Sequence, residues 1–352
     1  MKKIAKFLIV LGMMGQLSSC DYLDIVPDER AQESDTWKTE GAVRGYLYSC
    51  YGYLPANRTF GNSYWLAEEL TAVTKELFTT FKYGYYSPVS LGFTSNTWST
   101  IWNGIHQCYM FQESLKQVSN EYVTDEMKKQ YLAESNFLIA YYHFLSMRSY
   151  GPTMIIRSVI DLETPISGFP ERSSIDEVVA FINEKLDEAM SEGGLPTTWS
   201  GKDYGRATRL AALALKSRVY LYMEDWKNAA IYAQKVIDDW DFMLTDLNSL
   251  PQKTTAQPYY NFISQDCSEV IWVFGKIDKF VNLVKQEMIF PDPYKPGQNL
   301  ETNFFNASSG LLDAFKAGDL RKENYIVRSP YTDSKDNQHL GGYAPYGKFA
   351  VN

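Results

Sequence analysis

The residues best suited to chemistry are the aromatics of Lys82-Tyr83-Gly84-Tyr85-Tyr86-Ser87-Pro88, where three tyrosines stand among small residues in a loop-like stretch. Trp65 and Trp98 flank this region. A second group, Tyr259, Tyr260, Tyr294, Phe304 and Phe305, lies among Pro, Asn and Gly further on. With Tyr 26, Phe 19 and Trp 8, aromatics make up 15% of the chain, more than a ligand surface alone would use, so most of them must fill core. Those that face outward offer flat apolar faces with polar edges, the chemistry that holds a sugar ring or a peptide. The loop tyrosines fit a core role and a ligand role equally. Trp98 and Trp102, four apart on a helix, fit a core stripe better than a ligand face. The second group fits loops packed on a scaffold somewhat better than a binding surface. Arg58, Lys82 and Asp292 could bond ligand hydroxyls.

Familiar catalytic arrangements are missing from the sequence. The adjacent pairs Glu68-Glu69 and Asp238-Asp239 diverge by about 100 degrees on a helix, so neither can flank one glycosidic bond. The sequence has no Gly-x-Ser-x-Gly elbow, Walker loop or His-Glu-x-x-His run. His106, His143 and His339 are scattered, and no CxxC spacing suggests a metal, so neither a metal nor a cofactor is expected. A formal net charge of −8, from 34 basic and 42 acidic residues, argues against a nucleic-acid partner.

The N-terminus reads as an address. Lys2, Lys3 and Lys6 precede an apolar run, Phe7 to Met14, that is too short to span a bilayer. Leu17-Ser18-Ser19-Cys20 has the small residues and spacing of a lipoprotein processing site, with Cys20 as the acylated residue. Several acyl chains, at about 0.8 kcal/mol per buried methylene, would hold the protein on a membrane. Residues 1–19 are then a signal peptide and 20–35 a polar tether. Of the remaining cysteines, Cys50, Cys108 and Cys267 read as buried apolar thiols, with one bridge and one free thiol as the alternative.

These side chains need elements to position them. Val43, Leu47 and Cys50 predict a helix over about 36–51, and residues 98–118 predict another. Thr124, with Asp125 and Glu126 behind it, caps a long helix that stops at Gly151-Pro152 and carries Tyr131, Phe137, Leu138, Tyr141, Phe144 and Leu145. Ser174-Ile175-Asp176-Glu177 is a capping box. Between Gly205 and Asp239, two alanine-rich helices meet at Glu224-Asp225, with Trp226 expected to plug the gap at the turn. Small facing residues let such helices approach closely, which is the logic of a tetratricopeptide unit. Glu224 stands where glycine would turn more easily. After Trp240 a strand-like EVIWVF (269–274), loops and a short helix near Leu311–Phe315 are expected.

Taken in order, YLAESNFLIAYYHFLSMRSYGPTMII (131–156), FPERSSIDEVVAFINEKLDEAMSEGGLP (169–196), GRATRLAALALKSRVYLYMEDWKNAAIYAQKVI (205–237) and SEVIWVF resemble the SusD/RagB family. The second carries that family's Arg-x-Ser-x-x-Glu-Val pattern. In the first, the proline follows its glycine directly rather than three positions on. The resemblance implies a mainly α, SusD-like tetratricopeptide fold with long irregular loops and few short strands. It implies a helical region over 36–240 and, over 241–352, the loop-rich start of a C-terminal region that is incomplete and leaves an apolar helix face uncovered. It also implies a non-enzymatic lipoprotein, anchored in the outer membrane through acylated Cys20 and facing the exterior. Such a protein hands oligosaccharides to a SusC-like TonB-dependent transporter. Peptide cargo, as in the RagB branch, or a scaffold without a small ligand are the alternatives.

Overall fold

The computed structural model describes residues 37–54, 92–160, 168, 170–199, 201–239, 271–272, 313–319, 327–332 and 338–344. Among the described residues six α-helices dominate: α1 (Glu40–Tyr51), α2 (Gly92–Leu115), α3 (Asp125–Tyr150), α4 (Ile175–Ala189), α5 (Arg209–Tyr222) and α6 (Trp226–Asp238). A short 3-10 turn covers Gly201–Asp203. Strands β1 (Val327–Thr332) and β2 (Gln338–Ala344) pair antiparallel, with an irregularity between Arg328 and Pro330. That irregularity suits a proline, which has no N–H to give the ladder.

Local chemistry accounts for the helix ends. Thr39, Thr124, Ser174, Thr208 and Asp225 each accept a backbone N–H two or three residues into the helix that follows. Ser174 and Glu177 complete the reciprocal capping box. α2 begins at Gly92, earlier than the expected 98.

The helices pack in sequence order, with α1 against α2, α2 against α3, α3 against α4 and α5 against α6. α3 also touches α1 and α5, and it is the centre of the core. Phe137, Leu138, Ile139 and Ala140 are buried in succession, as are Tyr142, His143 and Phe144. A helix apolar on every side is one enclosed on every side. The expected stripe through Tyr141 was therefore too narrow, since Tyr141 is only half-buried while its neighbours are fully enclosed.

His143 shows what this enclosure does to a titratable group. Its Nδ1 lies 2.8 Å from the Ile139 carbonyl, and its ring meets Trp102 and Phe181 edge-on. Burial, partly opposed by the Ile139 hydrogen bond, lowers its pKa from 6.5 to about 4. The unfolded chain takes a proton between those values and the folded one does not. The contribution of His143 to stability is therefore present above 6.5 and lost as pH falls towards 4. Proton NMR should show the His143 ring titrating near pH 4; a midpoint above 6 would contradict its enclosure.

The α5–α6 hairpin is formed as expected. Ser217 donates to the Ala229 carbonyl across it at 2.8 Å. Glu224 makes the turn at φ 57, in the left-handed region that glycine favours. One expectation fails here. Trp226 does not plug the turn but is 63% exposed, and Ile237 is 65% exposed. Trp226, Ala230, Ala233 and Ile237 recur at steps of four, three and four, and so share one stripe that Ala229 and Val236, which are buried, do not.

Ile271 and Trp272 are the described part of EVIWVF, and they lie in a bend and irregular backbone rather than the expected strand. Ile271 packs beside Leu210, Leu213 and Val236, and the Trp272 indole donates to the Gly205 carbonyl at 3.0 Å. Of the short helix expected near 311–315, Asp313 and Ala314 are helical among the described residues. Cys50 and Cys108 are buried free thiols; Cys267 lies outside the described residues.

Candidate functional site

Of the candidate ligand and lipidation residues read from the sequence, Trp98 is described; Arg58, Lys82, Tyr259, Tyr260, Asp292, Phe304 and Phe305 lie outside the described residues. Cys20, Trp65, Tyr83, Tyr85, Tyr86 and Tyr294 lie outside the described residues. Residues 1–36, expected to hold a signal peptide and a tether, and residues 55–91 lie outside them as well.

Trp98 is half-buried near the start of α2 and anchors an aromatic shelf. Trp102, one turn along, sits 5.3 Å away between ring centroids. Tyr150, at the end of α3, meets Trp98 edge-on at 5.0 Å, and its hydroxyl bonds Thr97 and the Trp98 backbone. The Arg172 guanidinium lies over the Trp98 ring, 5.5 Å from its centroid, a cation–π geometry.

The chain between α3 and α4 delivers Arg172 to this place. Gly151, at φ 72, turns it sharply after Tyr150. Met154 and Arg172 then form an antiparallel bridge, and Ser173 N–H donates to the Thr153 carbonyl at 2.9 Å. Ser146 and Thr153 hydroxyls bond at 2.8 Å where both are buried, and Arg172 donates to the Pro152 carbonyl. Pro152 and Arg172 are exposed beside the half-buried Trp98 and Tyr150. The shelf thus combines stacking faces with a guanidinium donor. It suits an uncharged, hydroxyl-rich or planar ligand. Trp98 belongs to it, whereas the sequence fitted that residue better to a core stripe. Tyr150 and Arg172, which the shelf brings beside Trp98, were not among the candidates from the sequence, although the Gly151-Pro152 stop and the Arg-x-Ser pattern mark both.

A second polar cluster lies deeper. The Arg206 guanidinium donates through Nε and Nη2 to the fully buried Glu134 carboxylate, and through Nη1 to Asp203 at 3.0 Å. Tyr51 donates to Glu134 at 2.6 Å and accepts the Ala207 N–H at 2.9 Å. Arg206 also stacks on Trp199, 3.8 Å from its centroid. Burial raises the Glu134 pKa from its ordinary value, against the pull of Arg206 and Tyr51. Every polar atom of the carboxylate is engaged by protein, so this cluster fixes the 199–208 segment rather than a ligand. Among the described residues no set of three His, Cys, Asp or Glu side chains could hold a metal. No described helix is long and apolar enough to cross a membrane.

With this geometry in view, the chain can be set beside known proteins. A comparison with curated proteins finds no match. Solved structures match with the same helical architecture. A SusD-like carbohydrate-binding protein from Bacteroides vulgatus is 17% identical, with a TM-score of 0.62 over 83% of this chain and 62% of its own. The surface glycan-binding protein A from Bacteroides fluxus is 20% identical, with a TM-score of 0.60 over 87% of this chain and 66% of its own. A SusD-like protein from Bacteroides fragilis is 22% identical, with a TM-score of 0.56 over 69% of this chain. This chain spans only 45% of the B. fragilis protein and 62% of the B. vulgatus one. At such identities the structures establish the fold. A SusD-like family model, described as "Starch-binding associating with outer membrane", matches residues 21–221. With more than half of its sequence matched, from the residue after Cys20 to the end of α5, the chain belongs to this SusD-like family.

Proposed function

We propose that the protein is a cell-surface lipoprotein that captures oligosaccharides and passes them to a SusC-like TonB-dependent transporter of the outer membrane, without altering them. The observation that carries this reading is the match of residues 21–221 to a family described as starch-binding and outer-membrane-associated. Two of the similar structures, one a carbohydrate-binding protein and one a surface glycan-binding protein, agree with it. The shelf of Trp98, Tyr150 and Arg172 supports it chemically, since it offers stacking and hydrogen bonding without a nucleophile or an acid–base pair. Anchoring through acylated Cys20, a tether over 20–35, a helical scaffold over 36–240 and a loop-rich region over 241–352 complete the proposal. Tyr83, Tyr85, Tyr86, Trp65 and Tyr294 remain its further ligand-contacting residues.

Calorimetric titration with starch-derived oligosaccharides and, separately, with peptides tests the reading. Saturable sugar binding is expected, with no product formed. Trp98→Ala should weaken it roughly tenfold, a loss of about 1.4 kcal/mol. Loss of binding in a Tyr85→Ala/Tyr86→Ala variant would add the loop to the site. Binding of peptides alone would replace glycan cargo by peptide cargo. Capture of the barrel with no small ligand bound would favour a scaffold, and a released product would make the protein an enzyme. Mass spectrometry of the mature protein should find acyl chains on Cys20, and an unmodified thiol there would remove the anchor.

A further inference from the structure

Cys50 and Cys108 stand 58 positions apart in sequence, yet they meet where α1 crosses α2. Both are fully enclosed. The Cys50 thiol donates to the carbonyl of Gln107, the residue before Cys108, at 3.6 Å. A single neighbour holds both backbones in place. From α3, the Tyr142 hydroxyl donates to the Cys50 carbonyl at 2.6 Å, and the Ser135 hydroxyl donates to the Cys108 carbonyl at 3.3 Å. One residue away, the Gln107 amide donates to the Ser49 hydroxyl at 2.9 Å. Gly104 removes the remaining bulk, since a Cβ there would lie 2.8 Å from the Tyr142 ring. The two helices are thus pinned to each other and to α3 at the level of the two cysteines.

We infer that Cys50 and Cys108 are a cross-linking site, closed into a disulfide that ties α1 to α2. The oxidant is another disulfide. The Cys50 thiolate attacks one of its sulfurs and releases a thiol, and the Cys108 thiolate then attacks the Cys50 sulfur and releases the second. The protein loses two protons and two electrons, and the oxidant becomes two thiols. In the folded protein burial holds the Cys108 thiol well above its ordinary pKa, so the thiolate is scarce there and closure belongs to the folding chain. In the cell the step rests on the export proposed above, because exported proteins meet such oxidants and cytosolic ones rarely do. The geometry itself does not depend on export. Residues 52–91 lie between the two helices, so the bond would staple the helices from which the Tyr83–Tyr86 stretch departs.

The test uses the full chain, reduced and unfolded in denaturant, then refolded in a mixture of oxidised and reduced glutathione. After alkylation of free thiols and digestion without reductant, mass spectrometry should find one linked pair of peptides carrying Cys50 and Cys108. The pair should be two hydrogens lighter than the sum of its parts, with Cys20 and Cys267 outside the link. The oxidised protein should melt several degrees above the reduced one, as expected when a loop of this length is closed. The inference is overturned if both cysteines are alkylated, if either carries glutathione or pairs with Cys267, or if the cross-link lowers the melting point. Because the oxidant is supplied, failure here leaves the proposal of export and glycan capture untouched, and loss of sugar binding leaves the cross-link untouched.

Discussion

Replacing Arg206 by alanine should destabilise the protein by about 3–5 kcal/mol, because it strands a carboxylate that the fold has taken out of water. Glu134 is fully buried on α3, and Arg206 is 7% exposed. Without the guanidinium, Tyr51, at 2.6 Å, is the remaining donor among the described partners of that carboxylate. Asp203 and the face of Trp199 lose their common partner as well. The deficit should depend on pH in a definite sense. Burial already raises the Glu134 pKa above the unfolded value of 4.5, so in the window above that value the folded state holds more proton than the unfolded one. The folded state therefore gains on the unfolded one as pH falls through that window. Loss of Arg206 raises the carboxyl further, so the gap between variant and wild type should narrow on acidification. Urea denaturation at pH 7 and at about pH 5 measures both effects. The double variant Glu134→Leu/Arg206→Met should cost less than Arg206→Ala alone, since it removes the stranded charge along with its partner. A larger loss in the double variant would show that the cluster contributes more than mutual neutralisation.

Phe137→Ala should cost about 3–5 kcal/mol, the range for an aromatic removed from a close-packed interior. Phe137 is 1% exposed at the middle of α3, where helices enclose it and its neighbours. Its ring also meets Trp272 edge-on at 5.2 Å, and Tyr141 meets the same indole at 6.1 Å. Trp272 is fastened by its hydrogen bond to the Gly205 carbonyl and by these two rings. The variant should therefore show two effects, a lowered urea midpoint and faster solvent exchange of the Trp272 indole N–H. Phe137→Leu keeps most of the volume and should show a smaller loss of both kinds. If the midpoint falls with no change in indole exchange, Phe137 supports the helices but does not hold the 271–272 segment.

The depth of these two side chains bears on function through position. Arg206 and Phe137 fix where α5 and the 271–272 segment lie against α3, while the other end of α3 supplies Tyr150 to the aromatic shelf. A helix that is the core of the scaffold at its middle and part of the candidate site at its end couples rigidity to presentation. On the proposed reading, a ligand stacked on Trp98 would meet a ring already held by Trp102, Tyr150 and Arg172, so less freedom would be lost on binding.

Helix positions, caps and pairing partners were legible in the residues alone. Thr124, Ser174 and the Glu224 turn act within a few positions of themselves, and alanines spaced along 211–233 announce close helix contact. Periodicity of that kind reports only near neighbours. It could not show that α3 is enclosed on all sides, that Glu134 finds Arg206 across 72 positions, or that β1 pairs with β2. Nor could it show that Trp226 and Ile237 face outward while Ala229 and Val236 face in, since an apolar stripe has no inside until its neighbours are placed. Trp98 is the same case, because its spacing from Trp102 suits a core stripe, and only the return of the chain through Gly151 brings Arg172 over its ring. Local order along the chain is written by backbone propensity and capping. What a side chain touches is decided by helix packing, where partners far apart in sequence are brought within a few ångströms.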